Sequence, residues 1–225
     1  FADIDGKPLL WHVVNRLRDS IYLDNIIIAT SENIADDLIQ DWASENEILC
    51  YRGSERNVIK RYYDAAKVNN STTIVRITAD DPLKDFKIMD DVISEFLSQK
   101  ADFACNNFPP TYPEGLDIEV FSFIALETAY ENTLSAFEKE HVTQYFYKNV
   151  NDFKICCIEN DTNLSHLRWT IDTSEDLEMT RKIYDKFESS KSIYLMDDIL
   201  KILHESPEIT EINKNVARSK MYKSK

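Results

Sequence analysis

The stretch that most constrains this chain runs from Thr72 to Asp85, T-T-I-V-R-I-T-A-D-D-P-L-K-D. Thr73 to Ile77 is a β-branched, mostly apolar run of strand length that ends in two adjacent carboxylates and a proline, and a helical pattern begins at Phe86. This predicts a central strand emptying into an acidic loop. In open α/β sheets, ligands sit outside the carboxyl ends of such strands, so Asp80 and Asp81 fall where a phosphate-bound metal would be held. Asp85, beside the helical run, can supply the N-cap by itself. Asp80 is then left without a structural duty. The plainer alternative, in which all three carboxylates simply end a strand and cap a helix, stays open on these residues alone.

The flanking sequence says what kind of sheet this strand joins. Gly6 and Pro8 punctuate a turn-like start, and Leu9, Leu10, Val13, Val14 and Leu17 mark a first helix. Residues 25–31 read as a buried strand, and Ile34, Leu38 and Trp42 with Ala35 and Ile39 as the apolar stripe of a second helix. A short strand over 48–51 ends in Arg52-Gly53-Ser54, a third helix carries Val58, Ile59, Tyr62, Tyr63 and Ala66, and a fourth carries Met89, Val92, Ile93, Phe96 and Leu97. Strand and helix in alternation with short connections predict βαβ units and a mainly parallel sheet. Beyond this, residues 102–107, 153–158 and 166–171 read as strands, and 125–134 and 138–147 as helices. Residues 116–123 alternate at period two, which predicts a strand with one wet or ligand-facing side. No repeat or linker interrupts the pattern, so one domain over 1–213 is expected, followed by a polar tail, 214–225.

A second carboxylate follows residues 166–171. Thr173 with Asp176 three residues on has the form of a capping box, so Thr173 satisfies the first amides of a helix and Asp172 is spare. Two carboxylates from separate strand ends suit magnesium, which keeps several waters and takes few protein ligands. Phosphoryl or nucleotidyl transfer is the chemistry that uses such a site.

Composition narrows the partners. A formal net charge of −14 argues against nucleic acid and anionic membrane, whose phosphates most of the surface would repel. An anionic substrate therefore needs a local cation. Arg52, Arg61 and Arg168 are candidates, although any of them could be paired among 40 acidic side chains. Cys50, Cys105, Cys156 and Cys157 lack metal-site spacing and read as reduced core thiols. With no apolar run near the ~20 residues of a membrane helix and no visible signal peptide, a cytoplasmic protein is expected. Asp3-Ile4-Asp5 imitates a metal-binding D-x-D but sits in a turn, His141 could serve as a base or merely hydrogen-bond, and Trp169 reads as core.

The motifs G-K-P-L-L-W-H-V-V-N-R-L, Y-R-G-S-E-x-N-V-I-K-R-Y-Y-D-A-A-K, V-R-I-T-A-D-D-P-L, T-Y-P-E-G-L-D-I-E-V-F-S, E-K-E-H-V-T and L-R-W-T-I-D-T-S-E-D-L together resemble the cytidylyltransferase-like family of the spore-coat polysaccharide protein SpsF. That family is related to acylneuraminate and keto-deoxy-octulosonate cytidylyltransferases. The resemblance implies a single-domain, Rossmann-like nucleotidyltransferase fold, three layers α/β/α with a mainly parallel mixed sheet. It also implies transfer of a cytidylyl group from CTP to a sugar acid with release of pyrophosphate; a homodimer is a candidate assembly that the sequence does not decide. By the same resemblance Asp80 and Asp172 match the magnesium-binding, catalytic aspartates. Ser31, Arg52, Gly53 and Ser54 fall in nucleotide-contacting loops, and Asn106, Tyr112, Glu114, Asp117 and Glu119 fall where the sugar lies. The family opens with a strand and a Gly-rich phosphate loop that have no counterpart in this sequence, and Ser174 stands where it usually has proline. A glycosyltransferase of related fold and a binding module without catalysis remain the alternatives.

Overall fold

The computed structural model describes residues 2–188 and 191–217. The turn-like start is a hairpin: β1 (Asp3–Ile4) pairs antiparallel with β2 (Lys7–Pro8). Asp5 (φ 49°) and Gly6 (φ 72°) turn it, the left-handed pair that a two-residue hairpin loop requires. The D-x-D string therefore belongs to a turn, with Asp3 and Asp5 exposed. Helix α1 (Leu9–Leu17) follows at once and buries Val13, Val14 and Leu17. His12 Nε2 lies 2.7 Å from the Ile4 carbonyl and ties the hairpin to the helix.

Two parallel strands come next, β3 (Ile27–Ser31) and β4 (Leu49–Gly53), in a register that sets Ser31 beside Gly53. Between them runs α2 (Asp37–Glu45). Its expected stripe is corrected: Ile34 is 87% and Leu38 68% exposed. Burial falls instead on Ala43, with Ile39 and Trp42 half-buried, because a single tight turn over Ile34–Asp36 precedes the helix and shifts its face. Helix α3 (Val58–Val68), capped by Asn57, leads to β5 (Thr73–Arg76).

After the acidic loop come α4 (Phe86–Gln99), β6 (Phe103–Cys105), β7 (Glu119–Ser122) and α5 (Phe123–Asn132). Then follow α6 (Ala136–His141), α7 (Gln144–Lys148), β8 (Ile155–Cys157), α8 (Ser174–Tyr184) and α9 (Met196–Glu205). A four-stranded sheet has the order β5-β7-β6-β8, with β7 antiparallel to both neighbours and β6 parallel to β8. Helices cover both faces. One cluster joins Val13, Met89, Ile93, Val120, Trp169 and Ile183, and the other joins Ile59, Phe103, Phe121, Leu126 and Phe146, so consecutive residues of β7 serve opposite layers. This is a three-layer α/β/α fold with a mixed sheet.

Three further expectations are corrected. The period-two run has no wet side along β7: Ile118 to Phe121 is buried throughout, because side chains from both layers pack on the two faces of the sheet there. Residues 166–171 form no strand. They make one bridge, Glu114 to Arg168, with the Trp169 amide donating to the Glu114 carbonyl at 2.7 Å. The helix expected over 138–147 is two helices, broken at buried Val142, whose φ of 48° is costly for a β-branched residue. Among the cysteines Cys105 alone is fully buried, and Cys157 is exposed.

Candidate active site

Sheet register gathers the site. It aligns Arg76, Glu119, Cys105 and Cys157 across β5, β7, β6 and β8, so the carboxyl ends of three strands and the amino end of β7 share one rim. Asp80, Asn106, Asp117 and Glu119 are on or just beyond it.

The three carboxylates of the acidic loop have different surroundings. Asp85 caps α4, accepting from the amides of Lys87 at 2.9 Å and Ile88 at 3.3 Å, and its other oxygen accepts from the Met196 amide that opens α9. Asp81 is 3% exposed and pairs at 2.8 Å with Lys84, which is wholly buried; Thr78 also donates to Asp81. Burial pushes the Asp81 carboxyl up, and the Lys84 ammonium opposes that shift. Lys84 donates as well to the Asp117 carbonyl at 2.6 Å, stapling the acidic loop to the segment that enters β7. Asp80 is different: its Oδ1 is buried and accepts no hydrogen bond from protein. Such an atom is costly unless something else comes to it.

Asp172 is brought alongside. The Asp80 carbonyl accepts from the Ile171 amide at 2.9 Å, placing residue 172 next to the acidic loop. Asp172 is not spare as expected, since its Oδ2 accepts from Arg168 Nη2 at 2.5 Å, but its side chain is 49% exposed. Among the described residues no group of three or more His, Cys, Asp or Glu could hold a metal. Two carboxylates, one with a buried oxygen free to accept, nevertheless fit magnesium, which completes its octahedron with waters and ligand phosphates.

Arg168 does not reach outward to phosphates, as the sequence suggested. Its guanidinium, 7% exposed, meets Glu114 at 3.0 Å, Asp172 at 2.5 Å and Asp176 at 2.9 Å. Burial alone would raise the Asp176 carboxyl, but hydrogen bonds from Arg168 and Asn213 and from the Asp172 amide outweigh it and hold the group below the ordinary carboxylate range. Glu114 therefore anchors the Asp172 segment. Gly115 allows the approach: its φ is 105°, and a Cβ there would lie 2.7 Å from the Thr170 nitrogen and the Trp169 carbonyl carbon. Gly115→Ala should destabilise the protein by roughly 2–3 kcal/mol and disorder the Asp172 segment. Thermal melting together with faster hydrogen exchange over residues 168–173 checks this.

Glu119 is also internal. It accepts from Arg76 at 2.6 Å, Thr143 at 2.9 Å and Tyr147 at 2.7 Å, and Tyr147 also bonds Asn107 at 2.6 Å. Burial opposes the Arg76 charge, but the Glu119 carboxylate outweighs it and raises the guanidinium further. Glu119→Ala would leave Arg76 buried without its counter-charge, so urea unfolding should show a loss of about 3–5 kcal/mol. Asn106 likewise holds backbone, donating to the Leu116 carbonyl at 2.8 Å and accepting from the Ile118 amide at 2.7 Å. Tyr112 and Asp117 are partly open to solvent. Of the nucleotide-side residues, Ser31 donates to Asp36 at 2.5 Å and Ser54 accepts from the Asn57 amide at 3.0 Å. Arg52 is spent on the Ser31 and Asn33 carbonyls, Asp37 and Gln40. Sequence reasoning missed Lys84 and Tyr147; Arg76, a charge inside an apolar strand run, was the one signal that a buried partner had to exist.

The profile of the cytidylyltransferase family matches residues 1–217. The uncharacterized protein MJ1063 of Methanocaldococcus jannaschii is 34% identical over 224 residues, covering 98% of this chain and 89% of that protein. The spore coat polysaccharide biosynthesis protein SpsF of Bacillus subtilis is 27% identical over 195 residues, covering 81% and 78%. Among solved structures, a cytidylyltransferase from Leptospira borgpetersenii superposes with a TM-score of 0.89 at 32% identity, over 96% of this chain and 90% of that one. A CMP:2-keto-3-deoxy-manno-octonic acid synthetase complexed with CTP shares the fold, with a TM-score of 0.62 at 14% identity over 82% of this chain and 90% of that one.

Proposed function

This chain belongs to the cytidylyltransferase family and is a nucleotidyltransferase; from that premise we propose that it is magnesium-dependent and moves the cytidylyl group of CTP onto a sugar acid. An acceptor hydroxyl oxygen attacks the α-phosphorus and gives up its proton to solvent, the bond from that phosphorus to the bridging oxygen breaks, and pyrophosphate leaves with the electron pair. The observation that carries the reading is the buried, unpartnered Oδ1 of Asp80 beside the Ile171–Asp172 backbone. Bound magnesium would supply charge neutralisation of the phosphates. Asp80 and Asp172 would hold it.

The chain's own contribution is positioning. Lys84 and Asp85 fix the acidic loop from below, and Arg168 with Asp176 fixes Asp172. Ser31, Gly53 and Ser54, with Arg52 shaping their loop, are proposed to meet the nucleotide. Tyr112 and Asp117 are proposed to meet the sugar acid, with Asn106, Glu114 and Glu119 holding the segments that carry them. The spore coat polysaccharide role of the Bacillus subtilis relative supports a sugar product destined for a surface glycan. Among the described residues no helix is long and apolar enough to cross a membrane.

The test is thermal shift with nucleoside triphosphates in the presence of magnesium. CTP should raise the melting temperature most, and chelation should abolish most of the gain. Equal shifts from all four triphosphates, or a shift indifferent to chelator, would count against the reading.

A further inference from the structure

Strands β6 and β8 run side by side in parallel, and their register sets Cys105 opposite Cys157. Residues paired in this way lie about 4.8 Å apart across the strands, inside the roughly 4.4–6.8 Å between Cα atoms that a disulfide spans. The two sulfurs are 3.5 Å apart. Their surroundings differ, since Cys105 is buried in the cluster of Phe103, Phe121 and Phe146 whereas Cys157 is exposed at the end of β8, the outer strand of the sheet. Contact with Cys157, and burial after it, push the Cys105 thiol well above the ordinary thiol range. Cys105 therefore rests protonated while Cys157 meets solvent. The other two cysteines are placed elsewhere: Cys156 sits opposite Ala104 and packs into the other layer, and Cys50 belongs to β4. A metal is the other use of paired thiols, but among the described residues no group of three or more His, Cys, Asp or Glu could hold one.

We infer that Cys105 and Cys157 form a reversible redox pair, closed to a disulfide by a peroxide and reopened by a thiol reductant. Cys157 reacts first, because peroxide oxidises the thiolate of an accessible cysteine, and a second thiol in reach then resolves the product. Its sulfur, having lost its proton to solvent, attacks one peroxide oxygen; the S–O bond forms, the O–O bond breaks, and the hydroxide released takes up a proton and leaves as water. The Cys105 sulfur next attacks the Cys157 sulfur. The S–S bond forms, the S–O bond breaks, and the departing hydroxide carries off the Cys105 proton as a second water. Two thiols and one hydrogen peroxide thus give one disulfide and two waters, with two electrons passing from sulfur to oxygen. The bond would join residues 52 positions apart and fasten β8, a three-residue strand at the edge of the sheet, to β6. The inference does not depend on the reaction proposed above, and its test uses no activity.

The experiment is peptide mapping by mass spectrometry, without reduction, after the folded and fully reduced protein has been treated with hydrogen peroxide. A peptide carrying Cys105 should be found joined to one carrying Cys157, lighter by two hydrogens than the separate pair, and dithiothreitol should return both thiols. Cys156→Ser should form the same link, which separates the two adjacent cysteines. In Cys105→Ser the resolving thiol is gone, so Cys157 should be captured by dimedone as its sulfenic acid. Cys157→Ser should leave the buried Cys105 a thiol through the same treatment. Oxidation of Cys157 to the sulfinic acid with Cys105 left unlinked would overturn the inference. So would a link made through Cys156, or one found only between differently labelled copies in a mixed sample.

Discussion

Asp80→Asn should lower turnover by roughly 10²–10³-fold while leaving the melting temperature nearly unchanged. The buried Oδ1 accepts no hydrogen bond from the protein, so removing the charge breaks no internal contact. On the proposed function, what is lost is a ligand for the metal and, through it, the positioning of the triphosphate. The adjacent residue should behave in the opposite way. Asp81→Asn removes the counter-charge of Lys84, which is 0% exposed, and should cost about 3 kcal/mol or more in stability before any question of catalysis arises. Two neighbouring carboxylates in A-D-D-P would thus separate into a catalytic and a structural one. Steady-state rates and urea unfolding on the two single variants are the checks; similar stability losses in both would contradict the division.

Arg168→Met should cost about 3–5 kcal/mol of stability at neutral pH, because it removes the cation that Glu114 and Asp176 share as buried carboxylates. The pH dependence gives the cause away. In the unaltered protein the Asp176 carboxyl is held below its ordinary range, so its contribution is fully present above the unfolded value and is lost only as pH falls through the depressed folded value. In the variant the same burial raises both carboxyls, and the penalty eases as acid neutralises them. The stability gap between the two proteins should therefore narrow on going from pH 7 toward pH 4. A gap constant across that range would mean that Arg168 acts through packing of its stem rather than its charge. Turnover should fall too, since Asp172 would lose its hydrogen bond from Arg168.

These two results depend on features of unequal legibility. The acidic loop was readable because a β-branched run, two carboxylates, a proline and a cap follow each other within 14 residues of local sequence. The Thr173–Asp176 capping box was readable for the same reason, and both caps form as expected. What could not be read was pairing at a distance. Glu119 alternates with apolar neighbours like a ligand-facing residue, yet its partner Arg76 lies 43 positions away on the adjacent strand. Arg168 looked like a phosphate contact because nothing local showed that Glu114, 54 positions earlier on a Gly-Pro loop, would reach it. Residues 166–171 carry strand-like composition, but the close approach of Gly115 limits them to a single bridge. Helix α9 went unread although Ile199 and Leu203 show helical spacing, because its cap requires Asp198 to reach back to Leu195 within an otherwise acidic segment.

Asp80 and Asp172 are proposed to serve cytidylyl transfer from CTP. Product analysis tests it most directly: the protein is incubated with CTP, magnesium and a panel of sugar acids, and the products are read by phosphorus NMR and mass spectrometry. One sugar acid should yield equal amounts of its CMP conjugate and pyrophosphate, and Asp80→Asn should suppress both together. CTP converted to CDP and phosphate, or a nucleotidyl product formed from another triphosphate in preference to CTP, would contradict the account.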